Sequence, residues 1–325
     1  MSLRQLIGQE IGRKILQNTL EEKRGGLSYL FYGPKGLGKS FAARQFAKAL
    51  NCESSGNDCC DSCSSCLRAE KLTYPDLHWL DIEAGSDNIK IEQIRSLQDA
   101  AMLRPFEARL KVLVVNNCQN LTPEAANSLL KVLEEPPLDT VIILIASALR
   151  QVLPTIASRC YKIRFSNIKR KELMAMLQEN NRLDARQVSY LAYYCDGRPA
   201  EALALSKLNP LDRRDSLLNS LSRSCSFKAE IPKEGRNEDF LKDKTQGRLD
   251  LLLVMSWFRD VLFFKLGMKD DYIINSDKIT EVARYAGIYS YDQLYSILDT
   301  LKQSFKYLKF NINTRLLTDN LQASL

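Results

Sequence analysis

The octapeptide Gly33-Pro34-Lys35-Gly36-Leu37-Gly38-Lys39-Ser40 constrains this fold more than any other stretch of the chain. An apolar run, SYLFYG (28–33), leads into it. Phe41, Ala42, Phe46, Ala49 and Leu50 follow at the spacing of one helix face. Strand, glycine-rich turn and helix in that order are the context in which G-x4-G-K-S cradles phosphate. The glycines let backbone N–H groups converge on phosphate oxygens, and the helix N-terminus adds the positive end of its dipole. Lys39 is then placed for the terminal phosphates and Ser40 for magnesium. The alternative is a chance glycine turn.

Three further apolar runs read as strands buried on both faces of a parallel sheet: DLHWLDI (76–82), LKVLVVNN (110–117) and TVIILIAS (140–147). Strands separated by helical patterns predict a doubly wound α/β domain. Strand signals stop after about residue 165. Residues 169–180, 184–195 and 199–207 then read as short helices, the last two separated by the turn Asp196-Gly197-Arg198-Pro199. Helical patterning continues from about 208, interrupted by a polar stretch at 226–247 that reads as a surface loop with a short helix. Ser290 and Gln293 have capping-box spacing, ahead of an apolar face of Leu294, Ile297, Leu298, Leu301, Phe305 and Leu308. The run from Leu249 to Leu266 is broken by Asp250, Arg259, Asp260 and Lys265, so it reads as a buried amphipathic helix and not a membrane span. With no apolar signal core at the N-terminus, the expected location is the cytoplasm. A length of 325 residues fits two or three domains.

Hydrolysis at such a loop needs an aspartate at the end of the third strand to hold magnesium, and in many cases a neighbouring glutamate to polarise water. This chain has Asn116 and Asn117 there. Asparagine matches aspartate in shape but carries no charge and takes no proton. Unaided turnover therefore requires a carboxylate from another segment, and that alternative stays open.

Five of the nine cysteines fall between Cys52 and Cys66. Cys52, Cys60, Cys63 and Cys66 supply four thiols with two nested C-x2-C steps, a spacing that gathers sulfurs around tetrahedral zinc; Cys59 is a spare. The only histidine, His78, lies outside the cluster. A closed four-thiolate site would be structural. An iron–sulfur cluster and a chance cysteine-rich loop are the alternatives. The other cysteines, 118, 160, 195 and 225, read as core residues.

Together these features resemble the AAA+ clamp-loader subunits of bacterial DNA polymerase III, the gamma/tau and delta-prime proteins. The resemblance runs through LIGQE (6–10), residues 33–40, the cysteine insertion, NSLLKVLEEPP (127–137), Ser158-Arg159-Cys160 and NINTRLL (311–317). The delta-prime branch fits better, given Asn116, Asn117 and the lid turn Gly197-Arg198-Pro199-Ala200, where the ATPase subunits usually carry an arginine in place of Ala200. The resemblance implies a RecA-like P-loop domain over 1–165 with a zinc insertion at about 52–66, a three-helix lid over 166–207 and a helical collar over 208–325. It implies that Ser147 is a first-sensor position and that Arg159 acts on the ATP of a neighbouring subunit, an intramolecular ion pair being the alternative for that arginine. ATP or ADP would bind with magnesium weak or absent. Implied partners are gamma/tau-type ATPase subunits and a delta-type clamp-opening subunit in a pentameric loader, the sliding clamp, and primer-template DNA. DNA contact would be to backbone phosphates, with Lys90, Arg95 and Arg104 as candidates.

A net charge of +7 permits contact with nucleic acid without demonstrating it. Two other functions remain open: a gamma-type ATPase with an unrecognised carboxylate, and a zinc-dependent nucleic-acid-binding module whose phosphate loop is a relic.

Overall fold

Runs of Val, Ile and Leu with no polar alternation form strands only where both sheet faces are covered. The computed structural model, which describes residues 3–22, 24–54, 58–179, 183–225, 244–269 and 272–307, shows that arrangement. Strands β1 (Leu27–Tyr32), β2 (Leu77–Leu80), β3 (Lys111–Val115), β4 (Thr140–Ala146) and β5 (Tyr161–Arg164) pair in the order β2-β3-β4-β1-β5, all parallel. Every residue of β3 and β4 is buried. Tyr29, Phe31, Val114, Ile143 and Ile145 face one apolar layer, with α1 (Glu10–Glu22), α2 (Lys39–Leu50) and α3 (Ser64–Glu70). Leu30, Leu113, Val115, Ile142 and Leu144 face the other, with α4 (Ile91–Met102), α5 (Pro123–Glu134) and α6 (Pro154–Ala157).

Strand β5 is absent from the sequence expectation. It is a sheet edge whose only buried residue is Ile163, so YKIR carries no apolar run to announce it.

The helices expected near 169–180, 184–195 and 199–207 form as α7 (Arg170–Gln178), α8 (Ala185–Tyr194) and α9 (Pro199–Ser206). Two compact units result: 1–173 with 197–201, and 174–196 with 202–325. The second unit holds α10 (Pro210–Cys225), α11 (Lys244–Lys265), α12 (Ile279–Ile288) and α13 (Tyr291–Tyr307). Of the charges that interrupt the apolar run of α11, the two aspartates turn inward. Asp250, fully buried, accepts from Arg213 Nε and Nη2 at 2.8 and 2.6 Å. Asp260, also fully buried, accepts from the Asn275 backbone and side-chain amides at 2.7 Å each. Arg214 is 1% exposed and donates to both oxygens of Asp277. Ser290 and Gln293 close the expected capping box, and Leu294, Ile297 and Leu301 of α13 are buried. Cys118, Cys160 and Cys195 are core residues as expected. Leu308, NINTRLL (311–317) and residues 226–243 of the polar stretch lie outside the described residues. No helix among the described residues is long and apolar enough to cross a membrane.

Candidate functional site

β1 delivers the chain to the phosphate loop at Gly33, which packs against the end of the sheet. A Cβ there would lie 2.1 Å from the Phe165 carbonyl oxygen, so no side chain fits. Gly38 caps α2 with φ 84°, a left-handed conformation that glycine adopts without strain. Lys39 opens the helix, and its amine donates to the carbonyls of Gly33 and Pro34, each at 2.6 Å. Burial, with Lys35 nearby, lowers its pKa to about 8. The 197–201 turn closes on the loop, Ala200 N–H donating to Gly36 O at 3.0 Å. The side chain at that position is a methyl, with no charge to offer a phosphate.

Asn116 and Asn117 stand at the end of β3, as the sequence expects. Ser40 Oγ donates to Asn116 Oδ1 at 3.4 Å, so the hydroxyl that the sequence expects to meet magnesium faces an amide oxygen. A carboxylate that the sequence reading passed over sits just beyond them. Asp81 accepts from Asn116 Nδ2 at 2.7 Å, from Asn117 Nδ2 at 3.0 Å and from Ile82 N–H at 2.8 Å. Burial raises its pKa, but these hydrogen bonds outweigh burial and hold the carboxyl below the usual aspartate value. The signal was available: Asp81 follows β2, and parallel neighbours bring their C-terminal ends together. Gln119 continues the row, donating to Asn117 Oδ1 at 3.4 Å and accepting from Ser147 N–H at 3.3 Å. Ser147 thus joins the same edge from the end of β4.

The cysteine cluster is assembled. One sulfur each from Cys52, Cys60, Cys63 and Cys66 lie within 4.8 Å of one another, a set that could hold a metal ion. The spacing follows from α3, whose N-cap is Cys63. Cys66 N–H donates to Cys63 Sγ at 3.4 Å and Cys63 N–H to Cys60 Sγ at 3.3 Å. Hydrogen bonds led by the Ser54 and Ser62 hydroxyls bring the Cys60 thiol down to about 5. Burial pushes Cys52 and Cys66 up, so an ion that ionised all four would release protons on binding. Cys59 stands apart, 3.5 Å from Gln45 Oε1. Buried Lys48 of α2 pairs with Asp61 and, at 2.8 Å, with Glu70, fastening the insertion to the helix that begins at the phosphate loop.

Arg159 follows α6, and its side chain is 34% exposed. Its Nε and Nη2 donate to Glu134 Oε1 at 2.9 and 2.6 Å. The intramolecular ion pair weighed as the alternative therefore exists, within the LEEPP stretch that the sequence offered only as a family signature. Lys90, Arg95 and Arg104 are all exposed on α4 and its flanks, among the equally exposed Glu92 and Asp99.

A family profile described as DNA polymerase III, delta subunit, matches residues 8–169, and one for the C-terminal part of that subunit matches residues 211–322. The chain belongs to the DNA polymerase III delta-subunit family. It is 29% identical over 317 residues to the delta′ subunit of Bacillus subtilis, covering 95% of this chain and 93% of that protein. It is also 29% identical over 337 residues to the tau subunit of B. subtilis, covering 96% of this chain but only 59% of tau. Among solved structures, a gamma subunit-related protein of Thermotoga maritima aligns with 95% of this chain and 97% of its own, at 21% identity and a TM-score of 0.48.

Proposed function

We propose that this delta-family chain is a delta-prime-type clamp-loader subunit that assists ATP-dependent loading of a sliding clamp onto primed DNA without hydrolysing ATP itself. The observation that carries this reading is the neutral pair Asn116–Asn117, both amides engaged with Asp81, where a hydrolase presents carboxylates to Ser40 and water. Residues 33–40 retain what is needed to hold ATP or ADP. Arg159 is the residue that acts, stabilising charge on the phosphoryl group of a nucleotide held by an adjacent gamma/tau-type subunit. Such fingers contribute roughly 10³ to 10⁵ in rate elsewhere.

The metal is zinc, held by Cys52, Cys60, Cys63 and Cys66. A single tetrahedral ion suits sulfurs this close; an iron–sulfur cluster places several atoms between its ligands and would hold them further apart. The division into a P-loop domain (1–165), a lid (166–207) and a collar (208–325) follows the resemblance. A delta-type subunit completes the loader, and Lys90, Arg95 and Arg104 meet DNA phosphates.

Reconstitution with the gamma/tau-type and delta-type subunits of the same source tests this. Arg159→Ala should leave assembly intact and slow hydrolysis by the complex; unchanged hydrolysis removes the trans role. Asp81 supports a second reading, a gamma-type ATPase whose working carboxylate comes from β2. Under that reading the isolated chain turns over magnesium-ATP with primed DNA, and Asp81→Asn and Lys39→Ala each abolish turnover.

A further inference from the structure

The backbone around Arg159 is fixed on both sides. Ile156 and Ala157 of α6 are buried, and so is Cys160, while the arginine side chain reaches out. Its partner is equally well placed. Pro136 bars Glu135 from helical geometry, and Glu135 accordingly has φ −131° and ψ 71°, so α5 ends at Glu134. Leu129, Val132 and Leu133 anchor that last turn in the core.

The contact between them is specific about which hydrogens it uses. A guanidinium has five N–H donors in a rigid plane. Glu134 Oε1 takes the side edge, from Nε and Nη2. The Thr155 carbonyl takes Nη1 at 2.9 Å. Ser158 Oγ, 3.4 Å from Nη1, itself donates to Thr155 O at 3.0 Å, so both oxygens sit on the same side of Nη1. Nη1 and Nη2 each carry a second hydrogen, and no acceptor for either is found among the described residues. Donors of this kind suit the oxygens of a tetrahedral phosphoryl group.

We propose that Glu134 is a positioning residue: it holds the Arg159 guanidinium by its side edge and leaves its remaining Nη hydrogens for the terminal phosphoryl group of a nucleotide on the adjacent subunit. This rests on the trans-acting role given to Arg159 above. Because the carboxylate occupies an edge that phosphate does not need, Arg159 engages its target without leaving Glu134. An ion pair this exposed contributes little to stability. Its effect is on orientation, and therefore on rate.

The experiment compares reconstituted loaders carrying Glu134→Ala, Glu134→Gln, Arg159→Ala or the Glu134→Ala/Arg159→Ala double substitution, reading kcat and KM for ATP, assembly and thermal melting. Glu134→Ala should lower kcat at the adjacent site by up to about a hundredfold, the scale of a catalytic contact misplaced by an ångström, with KM, assembly and melting unchanged. Glu134→Gln keeps an oxygen that accepts from Nε and Nη2 and should recover most of the rate. The double substitution should be no slower than Arg159→Ala alone. If Arg159→Ala slows hydrolysis while Glu134→Ala does not, the positioning role is wrong and the trans role of Arg159 stands. A faster Glu134→Ala loader would make Glu134 a restraint and overturn the proposal. If Arg159→Ala has no effect, both are withdrawn.

Discussion

Removing one thiol from the cysteine quartet gives the most quantitative test of the metal assignment. The four sulfurs already lie within 4.8 Å of one another. The edge of a tetrahedron with 2.3 Å zinc–sulfur bonds is about 3.8 Å. Closure therefore needs movements of about an ångström or less, and little binding free energy is lost to rearrangement. Structural zinc contributes about 10–16 kcal/mol in small domains, so one ligand in four is worth about 3 kcal/mol, roughly a hundredfold in affinity. Cys63 also caps α3. Cys63→Ser is therefore the better substitution, because it keeps an acceptor for Cys66 N–H while losing the thiolate. Metal content by mass spectrometry and competition with a chromogenic chelator should show zinc bound one to one in the wild type, about a hundredfold weaker binding in Cys63→Ser, and no change in Cys59→Ser. The phosphate loop should be indifferent. α2 spans 12 residues from Lys39 to Leu50, about 18 Å at 1.5 Å per residue, which separates the insertion from residues 33–40. Zinc affinity in Cys63→Ser within threefold of the wild type, or zinc loss in Cys59→Ser, would refute the four-ligand assignment.

Because Lys39 titrates at about 8 and phosphate binding uses its charged form, affinity for ADP should hold up to about pH 7.5 and fall above pH 8 in fluorescence titrations; constant affinity to pH 9.5 would contradict this. Its folded value lies below the ordinary 10.5, so the unfolded chain holds the proton longer, and this residue's contribution makes stability rise between pH 8 and 10.5. Arg214→Ala removes the donors that hold Asp277 at 2.8 and 2.7 Å and Asn275 at 3.0 Å. Loss of one partner from so buried a pair costs about 3–5 kcal/mol; a urea denaturation curve shifted by less than 1 kcal/mol would show the pair to be incidental. Asp76 accepts from the backbone N–H groups of Phe106, Glu107 and Ala108 at 2.7, 2.9 and 2.8 Å. Asp76→Asn should destabilise by about 1–3 kcal/mol, measured the same way at pH 7. Burial raises the Asp76 pKa, but those donors bring it below 3.8, so its contribution is complete above that pH and disappears as pH falls through the lower folded value.

The sequence carried the site's chain-local parts. A phosphate loop is contiguous, a cysteine quartet is set by short spacings, and β1, β3 and β4 are apolar runs long enough to name themselves. Features made by distant pairings were less legible. Asp81 belongs to the site through the β2–β3 pairing, which no local pattern encodes. Glu134 and Arg159 meet only because a proline stop and a short buried helix bring two chain segments together. Asp250 and Asp260 read as breaks in an apolar helix, since their partners Arg213 and Asn275 come from other elements. β5 was missed for a different reason: an edge strand buries one face at most, and here that face is Ile163 alone.

We infer that this chain contributes to hydrolysis at a neighbour's site and not at its own. Steady-state ATP hydrolysis by a reconstituted loader, built once with Lys39→Ala and once with Arg159→Ala in this subunit, separates the two sites directly. Near-normal turnover is expected with Lys39→Ala, and loss of the adjacent site's share with Arg159→Ala. Turnover that depends on Lys39 and ignores Arg159 would contradict it.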